Sequence, residues 1–335
     1  MSPESQPRVA VFGAAGFAGA LSARLVHRHP AFTLTTVTAR SDVGRRLDDL
    51  YPHHRVPLVL QELDLDRQAD VEAAIVAYPH GAAAEVVADL VARGVRVVDL
   101  SADFRLRDPA VYAEWYREHP RPELIAEAVY GLPERYRDEI PDARVVANPG
   151  CYPTAALLAL APLASAGLIG DVVVDAKSGV SGAGRAATEK THFVTVDENL
   201  SPYGVPRHRH TPEIEQELAE LGADVHITFT PHLVPLDQGE LVSCYVTLTD
   251  TPASGLVDLY REMYDPEPFV ELTSRPPGVR DVRETNLCRI SVHEDERTGR
   301  VIIFAVIDNL WKGAASQAVQ NLNLMFGRPE GEGIS

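Results

Sequence analysis

The stretch Arg8–Gly19, RVAVFGAAGFAG, decides the fold class of the chain. It opens with β-branched and apolar residues, breaks at Gly13, and continues after Gly16 into LSARLVHR, whose apolar spacing predicts a helix that ends before Pro30. Gly13, Gly16 and Gly19 thus stand between a strand and a helix. In that setting bare backbone can approach a pyrophosphate and the helix dipole favours the anion. A tight strand-to-helix turn without a ligand has the same composition.

The segments that follow alternate between strand and helix patterns. FTLTTVTAR (32–40) and VRVVDLSAD (95–103) are typical of strands, and AAEVVADLVARG (83–94) is typical of a helix. This alternation predicts an α/β fold with a doubly wound parallel sheet. Beyond residue 150, a helix is followed by the strand-like runs DVVVDAKSG, VHITFTPHLVP, ELVSCYVTLTD, CRISVHED and RVIIFAVID. We interpret these runs as a second, α+β domain whose sheet is mixed and richer in antiparallel pairing.

Composition and charge exclude several classes of protein. The chain has 335 residues and a formal net charge of -17, so it would be repelled by nucleic acids and by anionic membranes. The apolar run at 154–170 is short for a membrane span and carries Pro162, so we expect a buried helix there. The first residues lack the basic region of an export signal. Three widely spaced cysteines suit neither a disulfide framework nor a zinc cluster, and we therefore expect a cytoplasmic protein without a metal.

The residues after the second predicted strand bear on the choice of nucleotide. The chain reads Thr38-Ala39-Arg40-Ser41, without the carboxylate that holds the ribose of NAD. Arg40 and the Ser41 hydroxyl can bind a 2′-phosphate, with help from Arg45 or Arg46. The pattern favours NADP over NAD, and the alternative is an arginine that is merely solvated at the end of a strand.

Cys151 is the candidate nucleophile. It follows a predicted strand and a Pro-Gly break, and it directly precedes an apolar helix. A helix N-terminus lowers the pKa of a thiol, and its amides can also hold an oxyanion. Cys244 and Cys288 lie inside apolar runs and fit the usual alternative, a buried structural cysteine.

The segment PRHRHTPEIEQEL (206–218) is the best place for a general base. Its two histidines, His208 and His210, precede a helix that begins near Thr211. His210 is a candidate for the base, and the alternative is a surface or core histidine. Metal binding is disfavoured because the pair lacks a further histidine or a cysteine at ligand spacing.

Two segments offer groups that bind anions at probable strand ends. They are SADFR (101–105) and KSGVSGAGR (177–185), which combine hydroxyl and cationic groups, in the second case with glycines. Either can hold a phosphate or a carboxylate, although an ordinary exposed turn has the same composition.

Together these motifs resemble the N-acetyl-gamma-glutamyl-phosphate reductase family over nearly the whole chain. The resemblance rests on nine motifs in order: GAAGFAG (13–19), PHG (79–81), SADFRL (101–106), YGLPE (130–134), NPGCYPTA (148–155), KSGVSGAGR (177–185), HRHTPEIEQEL (208–218), FTPHLVP (229–235) and KGAASQAVQNLNLMFG (312–327).

The resemblance implies a fold, an activity and a set of site residues. It implies a Rossmann domain of residues 1–150 plus 312–335, with an inserted catalytic and dimerisation domain of residues 151–311. It also implies NADPH, a small-molecule acyl phosphate in arginine biosynthesis, a dimer or tetramer of identical chains, Cys151 as nucleophile and His210 as acid/base. Expected cofactor contacts are Gly13, Ala15, Gly16, Phe17, Gly19, Arg40, Ser41, Pro79, Ser181, Gly182 and Asn309. Expected substrate contacts are Ser101, Arg105, Asn148, Lys177, Ser178 and His208.

Two positions depart from the family pattern. An arginine expected at position 238 is Gln238, and Arg289 stands where an acidic residue is usual. Both departures bear on substrate recognition. A related reductase that acts on a carrier-protein-bound aminoadipyl or glutamyl phosphate is therefore one alternative, and aspartate-semialdehyde dehydrogenase is another. A third, from a different class, is an NADP-sensing protein without turnover.

Overall fold

The computed structural model describes residues 6–68, 70–251 and 255–334. Over these residues the chain forms two compact units, Met1–Pro149 with Ala314–Ser335, and Gly150–Gly313. No helix of the described residues is both long and apolar enough to cross a membrane.

The first unit is built on a parallel sheet of six strands. Its strand order is β2-β1-β3-β4-β6-β5, so β1 lies between β2 and β3, and Val11 pairs with Val37 on one side and Ile75 on the other. The order reverses at β1, which is where doubly wound sheets bind nucleotides. The strands are β1 (Arg8–Phe12), β2 (Thr33–Thr38), β3 (Ala73–Val76), β4 (Arg96–Asp99), β5 (Ala128–Tyr130) and β6 (Val145–Ala147).

The second unit contains a mixed sheet of seven strands. Its order is β11-β12-β13-β10-β7-β9-β8, with parallel pairs β7/β9 and β11/β12 and antiparallel pairs elsewhere. The fold class predicted from the sequence is confirmed. The strands are β7 (Ile169–Gly179), β8 (Ser201–Pro202), β9 (Ile227–Val234), β10 (Glu240–Leu248), β11 (Val270–Leu272), β12 (Cys288–Asp295) and β13 (Arg300–Ile307).

The helices follow the apolar patterns of the sequence. The first ends at Arg28, as the position of Pro30 predicts. In chain order they are α1 (Phe17–Arg28), α2 (Leu47–Leu50), α3 (Ala84–Ala92), α4 (Pro109–Trp115), α5 (Pro133–Tyr136), α6 (Cys151–Ser165), α7 (Phe193–Val196), α8 (Thr211–Ala219), α9 (Leu256–Tyr264) and α10 (Ser316–Met325), with a π-helix at Trp311–Ala315.

Helix α6 is the core element of the second unit. It is apolar, and its residues from Tyr152 to Ala164 are buried. Pro162 has no N–H to donate to the carbonyl of Leu158, four residues earlier. That carbonyl instead accepts a hydrogen bond from the Tyr264 hydroxyl at 2.5 Å, and Tyr260 donates to the neighbouring carbonyl of Ala159 at 2.6 Å. Helix α9 thereby satisfies the backbone that the proline leaves open, and α6 continues to Ser165.

Candidate active site

The glycine loop after β1 is held by close backbone contacts. Gly13 has φ +87°, and a Cβ there would lie 2.5 Å from the carbonyl oxygen of Ala77, so only glycine fits. A Cβ on Gly19 would lie 2.3 Å from the carbonyl oxygen of Gly13. The amides of Gly13 and Ala14 donate to the carbonyl of Thr38, at 3.0 and 2.8 Å. The loop is thus fixed against the ends of β2 and β3.

Gly16 differs from these two glycines because it faces open space. A Cβ there would meet only the carbonyl oxygen of Gly13, at 3.7 Å. Gly16 is also the N-cap of α1, and no side chain caps that helix. No side chain of the described residues caps the first-turn amides of α1, and such amides favour an anion.

Three further predicted cofactor contacts lie around this loop. Ala15 is buried, and its carbonyl accepts a hydrogen bond from the Tyr51 hydroxyl at 2.8 Å. The ring of Phe17 meets the same tyrosine edge-on, with 6.3 Å between the ring centres. Pro79 is exposed in the loop after β3. Tyr51, which the sequence did not single out, braces the glycine loop.

Arg40 and Ser41 are exposed two and three residues beyond the end of β2. The Arg40 guanidinium lies 5.6 Å from the centre of the Tyr78 ring. Arg45 forms an ion pair with Asp42, and Arg46 forms one with Asp48. Arg40 is therefore the arginine of this group that best suits a 2′-phosphate, and Arg45 and Arg46 are occupied by aspartates.

The predicted anion groups of the first unit form a buried network. Ser101 donates to Asp99 at 2.6 Å, and Arg105 donates to the carbonyl of Asn148 at 2.8 Å and to that of Leu100 at 2.8 Å. Burial, together with the charge of Asp103, raises the pKa of Asp99 to about 7. These side chains brace the carboxyl ends of β4 and β6.

Asn148 belongs to the same network. Its side-chain oxygen accepts from Asn321 at 3.0 Å, and its side-chain nitrogen donates to the carbonyl of Ala314 at 3.3 Å. Asn148 thus ties the end of β6 to α10.

Cys151 is the first residue of α6. Gly150 is the N-cap, and no side chain caps the helix. The Gly150 amide donates to the carboxylate of Glu213 at 2.8 Å, which joins the start of α6 to the first turn of α8. Gly313 packs closely against Cys151: a Cβ at that glycine would lie 2.8 Å from the Cβ of the cysteine. The thiol is therefore held at a helix N-terminus, where a thiolate is stabilised.

The other two cysteines are fully buried, Cys244 in β10 and Cys288 in β12. Burial raises the pKa of the Cys244 thiol well above its usual range. No cysteine of the described residues forms a disulfide. Both residues match the prediction of structural cysteines.

Tyr152 brings the two histidines to the start of α6. Its ring meets His208 edge-to-face at 5.8 Å and His210 at 5.9 Å between ring centres. Burial, with the nearby charge of Arg209, lowers the pKa of His208 to about 4, so this imidazole is neutral at physiological pH. His210 is the N-cap of α8 and is partly exposed.

The predicted contacts in KSGVSGAGR lie at the end of β7 and in the turn that follows. Ser181 accepts a hydrogen bond from the Asn309 amide at 3.0 Å, and Asn309 accepts one from the backbone of Gly239 at 2.8 Å. A Cβ on Gly182 would lie 3.0 Å from the buried Ser178 hydroxyl. The structure therefore groups Ser178, Ser181, Gly182 and Asn309.

Lys177 is already paired within the second unit. Its ammonium forms an ion pair with Asp175, two residues earlier on the same strand, and the same carboxylate lies 3.2 Å from the imidazole of His232. The ammonium group of Lys177 is therefore already partly neutralised by a carboxylate. Asp175 and His232 were not selected from the sequence.

The two departures from the family pattern have partners inside this unit. The side-chain amide of Gln238 lies beside the Asp308 carboxylate, and its nitrogen would donate to that group at 3.2 Å once the amide oxygen and nitrogen are exchanged. Arg289 of β12 donates to Glu271 of the neighbouring strand β11 at 2.6 Å. Arg289 is thus balanced by a carboxylate across the sheet.

The sequence reasoning missed two carboxyl groups, Glu213 and Glu240. Glu240 is the first residue of β10 and is fully buried, and neither oxygen of its carboxyl group has a hydrogen-bond partner among the described residues. In the sequence it precedes an apolar strand, a position that is usually on the surface. Among the described residues, no group of three or more His, Cys, Asp or Glu side chains is arranged to hold a metal ion.

Comparison with known proteins shows which family the chain belongs to. Residues 8–143 match the family model "Semialdehyde dehydrogenase, NAD binding domain", and residues 151–309 match "Semialdehyde dehydrogenase, dimerisation domain". The chain is 48% identical to the N-acetyl-gamma-glutamyl-phosphate reductase of Desulforudis audaxviator (strain MP104C), over 98% of this chain and 97% of that protein. It is 50% identical to the protein of the same name from Halorhodospira halophila (strain DSM 244 / SL1), over 97% of both chains.

Solved structures show the same fold at low sequence identity. Aspartate semialdehyde dehydrogenase II of Vibrio cholerae matches with a TM-score of 0.73 and 20% identity, over 97% of this chain and 99% of that one. The Candida albicans aspartate semialdehyde dehydrogenase with NADP matches with a TM-score of 0.72 and 15% identity, over 96% and 99%.

These comparisons confirm several predictions from the sequence. The Rossmann fold, an oxidoreductase with a nicotinamide cofactor, and a chain that assembles with others through a dimerisation domain are each confirmed. The chain belongs to the N-acetyl-gamma-glutamyl-phosphate reductase family of the semialdehyde dehydrogenases.

Proposed function

We propose that this enzyme uses NADPH to reduce N-acetyl-gamma-glutamyl phosphate to the semialdehyde and phosphate, a step of arginine biosynthesis. The observation that carries the proposal is the placement of Cys151. It begins an uncapped helix, and Tyr152 beside it contacts both histidines of the HRH segment. Full-length relatives that are 48% and 50% identical and carry this activity in their names support the same substrate.

The start of α6 prepares Cys151 for nucleophilic attack. A helix N-terminus stabilises a thiolate, and the first turn of α6 offers that environment to the sulfur of Cys151. When the thiolate attacks the acyl phosphate, the carbonyl oxygen takes up negative charge, which the same amides can stabilise. Phosphate then leaves, and the acyl group stays on Cys151 as a thioester.

His210 transfers the proton to and from the substrate oxygen. NADPH, when bound, supplies the hydride that reduces the acyl carbon. The reduced group is still attached to Cys151, and its hydroxyl must lose a proton for the aldehyde to leave. We assign this proton transfer to His210, and its position at the N-cap of α8, with its ring against Tyr152, supports the assignment.

The cofactor is NADP(H). Its pyrophosphate would lie on the loop of Gly13, Gly16 and Gly19, and its 2′-phosphate on Arg40 and Ser41. The open space at Gly16 and the exposed guanidinium of Arg40 support these roles. Further cofactor contacts are assigned to Ala15, Phe17, Pro79, Ser181, Gly182 and Asn309, and substrate contacts to Ser101, Arg105, Asn148, Lys177, Ser178 and His208.

The domain organisation, assembly and location follow from the same family. The Rossmann domain comprises residues 1–150 and 312–335, and residues 151–311 form the inserted domain that carries Cys151. The enzyme is a dimer or tetramer of identical chains in the cytoplasm. The family-model boundary at residue 151 supports this division.

A carrier-bound acyl phosphate is the second candidate substrate. The observation that favours it is Gln238, a neutral amide beside Asp308 where the family pattern has an arginine. An enzyme without that arginine has one cation fewer to select a small free acid.

The direct test is phosphate-dependent reduction of NADP with N-acetylglutamate semialdehyde, beside the carrier-bound semialdehydes. The wild-type enzyme should turn over the acetylated substrate. Cys151→Ser should abolish turnover and leave NADPH binding intact, and the buried control Cys244→Ser should retain activity. His210→Asn should slow turnover with less effect on binding. Turnover by Cys151→Ser, or an unchanged rate in His210→Asn, would remove that residue from the mechanism.

A further inference from the structure

Tyr51 lies far from the glycine loop in the sequence but contacts it in the structure. Its hydroxyl donates a hydrogen bond to the carbonyl oxygen of Ala15 at 2.8 Å, and its ring meets that of Phe17 edge-on at 6.3 Å between ring centres. Ala15 and Phe17 flank Gly16, the N-cap of α1. Tyr51 therefore contacts the loop on both sides of the glycine that leaves room for an anion, and the function proposed above gives it no role.

The segment after β2 holds the Tyr51 side chain in place. Tyr51 directly follows α2, and its amide donates to the carbonyl of Leu47, a fully buried residue, at 2.9 Å. Its ring is nearly parallel to the buried ring of His54, with 5.2 Å between ring centres. The segment returns to β2 at Gln61, whose amide donates to the carbonyl of Val37 at 3.0 Å. The hydroxyl is thus presented to the glycine loop by a side chain that is itself fixed.

The peptide group between Ala15 and Gly16 is hydrogen-bonded at both ends. Its carbonyl accepts from Tyr51, and its amide, the N–H of Gly16, donates to the carbonyl of Gly13 at 3.2 Å. Gly16 has φ −78° in this arrangement. A flip of the peptide would make that φ positive, which glycine adopts without steric cost. The glycine that leaves room for an anion therefore also makes the peptide easy to flip, and a flip would break both hydrogen bonds.

The start of α1 depends on the orientation of this peptide. The Ala20 amide donates to the carbonyl of Gly16 at 2.8 Å, the first hydrogen bond of the helix, so the amides of residues 17–19 belong to the turn that favours an anion. We propose that Tyr51 is a positioning residue of the cofactor site. Its hydroxyl holds the Ala15–Gly16 peptide in one orientation, so that these amides are in place before a pyrophosphate binds. This inference deepens the proposed function and rests on it.

Tyr51 and Arg40 differ in the cofactors that they affect. The pyrophosphate is common to NADPH and NADH, whereas only NADPH carries the 2′-phosphate assigned to Arg40. A residue that positions the glycine loop therefore changes the affinity for both nucleotides by the same factor. Because the hydride leaves from the nicotinamide and not from the pyrophosphate, the rate at saturating NADPH should not change.

Fluorescence titration with NADPH and with NADH compares the wild type with Tyr51→Phe, which keeps the ring and removes the hydroxyl. A neutral hydrogen bond shifts the ratio of two orientations by at most about tenfold, and the apparent affinity follows the competent fraction. Both nucleotides should bind about twofold to tenfold more weakly, with KM for NADPH raised and kcat unchanged. The matched control is Tyr264→Phe, which removes a hydroxyl from a backbone carbonyl in the second unit and should bind NADPH like the wild type.

Hydrogen exchange reports on the free enzyme, without cofactor or turnover. The amide of Gly16 is bonded to Gly13 only while the peptide keeps its orientation, so its exchange measures the flip. This amide should exchange about threefold to tenfold faster in Tyr51→Phe. In Gly16→Ala the amide at the same position should exchange more slowly than in the wild type, after correction for the intrinsic rate, because alanine disfavours positive φ.

The double variant Gly16→Ala/Tyr51→Phe separates positioning from a general structural role. In the Gly16→Ala background the flipped orientation is already disfavoured, so loss of the hydroxyl should change the NADPH affinity by less than about twofold. A tyrosine that only stabilised the fold would lower the affinity by the same factor in both backgrounds.

Unchanged affinities or unchanged exchange in Tyr51→Phe would overturn the proposal. So would a loss confined to NADPH, or equal losses with and without Gly16→Ala. If Tyr51→Phe gives the expected binding and exchange but the wild type does not reduce the acetylated substrate, the proposed function fails and the positioning role of Tyr51 stands.

Discussion

Gly313→Ala should disable Cys151 without touching any polar group of the site. The new Cβ would lie 2.8 Å from the Cβ of Cys151 and 3.3 Å from its Cα, and also 3.3 Å from the side chain of Ile307. Carbon atoms prefer separations of about 3.5–4.0 Å, so the cysteine or the glycine backbone has to move by about 1 Å.

That displacement sets the expected magnitude. A shift of about 1 Å in a catalytic group costs about 100-fold in rate, which corresponds to about 2.7 kcal/mol of transition-state stabilisation. Overpacking a dense site also costs about 1–3 kcal/mol of the free energy of unfolding. Because the π-helix at Trp311–Ala315 holds the glycine, relief by a small backbone rotation is limited.

The assay compares kcat and the urea midpoint of Gly313→Ala with those of Gly278→Ala. The control has the same substitution in the same unit, but its Cβ would meet only a carboxylate oxygen of Asp281, at 3.9 Å. We expect the control to retain both properties. A Gly313→Ala enzyme with kcat within twofold of the wild type would refute the close packing of Cys151 against this glycine.

Three further perturbations have defined outcomes. Gly16→Ala should leave the urea midpoint unchanged, because the new Cβ has room. The same substitution should weaken NADPH binding about tenfold in a fluorescence titration, because the Cβ fills the space proposed for the pyrophosphate. Arg40→Ala should weaken NADPH binding about 10- to 150-fold, because it removes a charged hydrogen bond of about 1.5–3 kcal/mol, and it should leave NADH binding unchanged. The pKa of His208 is lowered from 6.5 to about 4, so the unfolded chain binds a proton between these pH values that the folded chain does not. Stability to urea should therefore fall as the pH drops from 6.5 to about 4, and the fall should be smaller in His208→Asn than in the wild type.

Each of these outcomes has a matched refutation. Gly16→Ala that binds NADPH as tightly as the wild type would place the pyrophosphate elsewhere. Equal losses for NADPH and NADH in Arg40→Ala would mean that the guanidinium does not read the 2′-phosphate. If His208→Asn loses as much stability on acidification as the wild type, the His208 imidazole is not the group that titrates.

The sequence predicts those parts of the fold that depend on local pattern. The glycine loop, the strand before it and the end of α1 at Arg28 follow from apolar spacing and from Pro30. The start of α6 at Cys151 follows from the Pro-Gly break. By contrast, β5 (Ala128–Tyr130) lies in an aromatic and proline-rich stretch and is too short for a period to show.

The rest of the site depends on contacts between distant parts of the chain. From the sequence, Glu240 is expected to be an exposed polar residue before a strand. It is buried because β10 pairs with β7 on one side and with β13 on the other. Gly313 carries no local sign of its contact with Cys151. Conversely, Arg105 lies in a segment with the composition of an anion site, but its guanidinium donates hydrogen bonds to the backbone carbonyls of Asn148 and Leu100. Residue type predicts what a side chain can bind, whereas tertiary pairing decides what it does bind.

Helices α1 and α6, which follow the glycine loop and the Pro-Gly break, begin in the same way. Both α1 and α6 begin after a glycine N-cap, Gly16 and Gly150, and neither is capped by a side chain. Helix α4 shows the alternative, since Asp108 accepts a hydrogen bond from the amide of Ala110. A cap of that kind stabilises a helix by about 1 kcal/mol, but it places its own oxygen on the amides. The proposed function assigns a pyrophosphate to the start of α1 and a thiolate and oxyanion to the start of α6. Under that proposal, an aspartate at position 150 would occupy the amides assigned to Cys151.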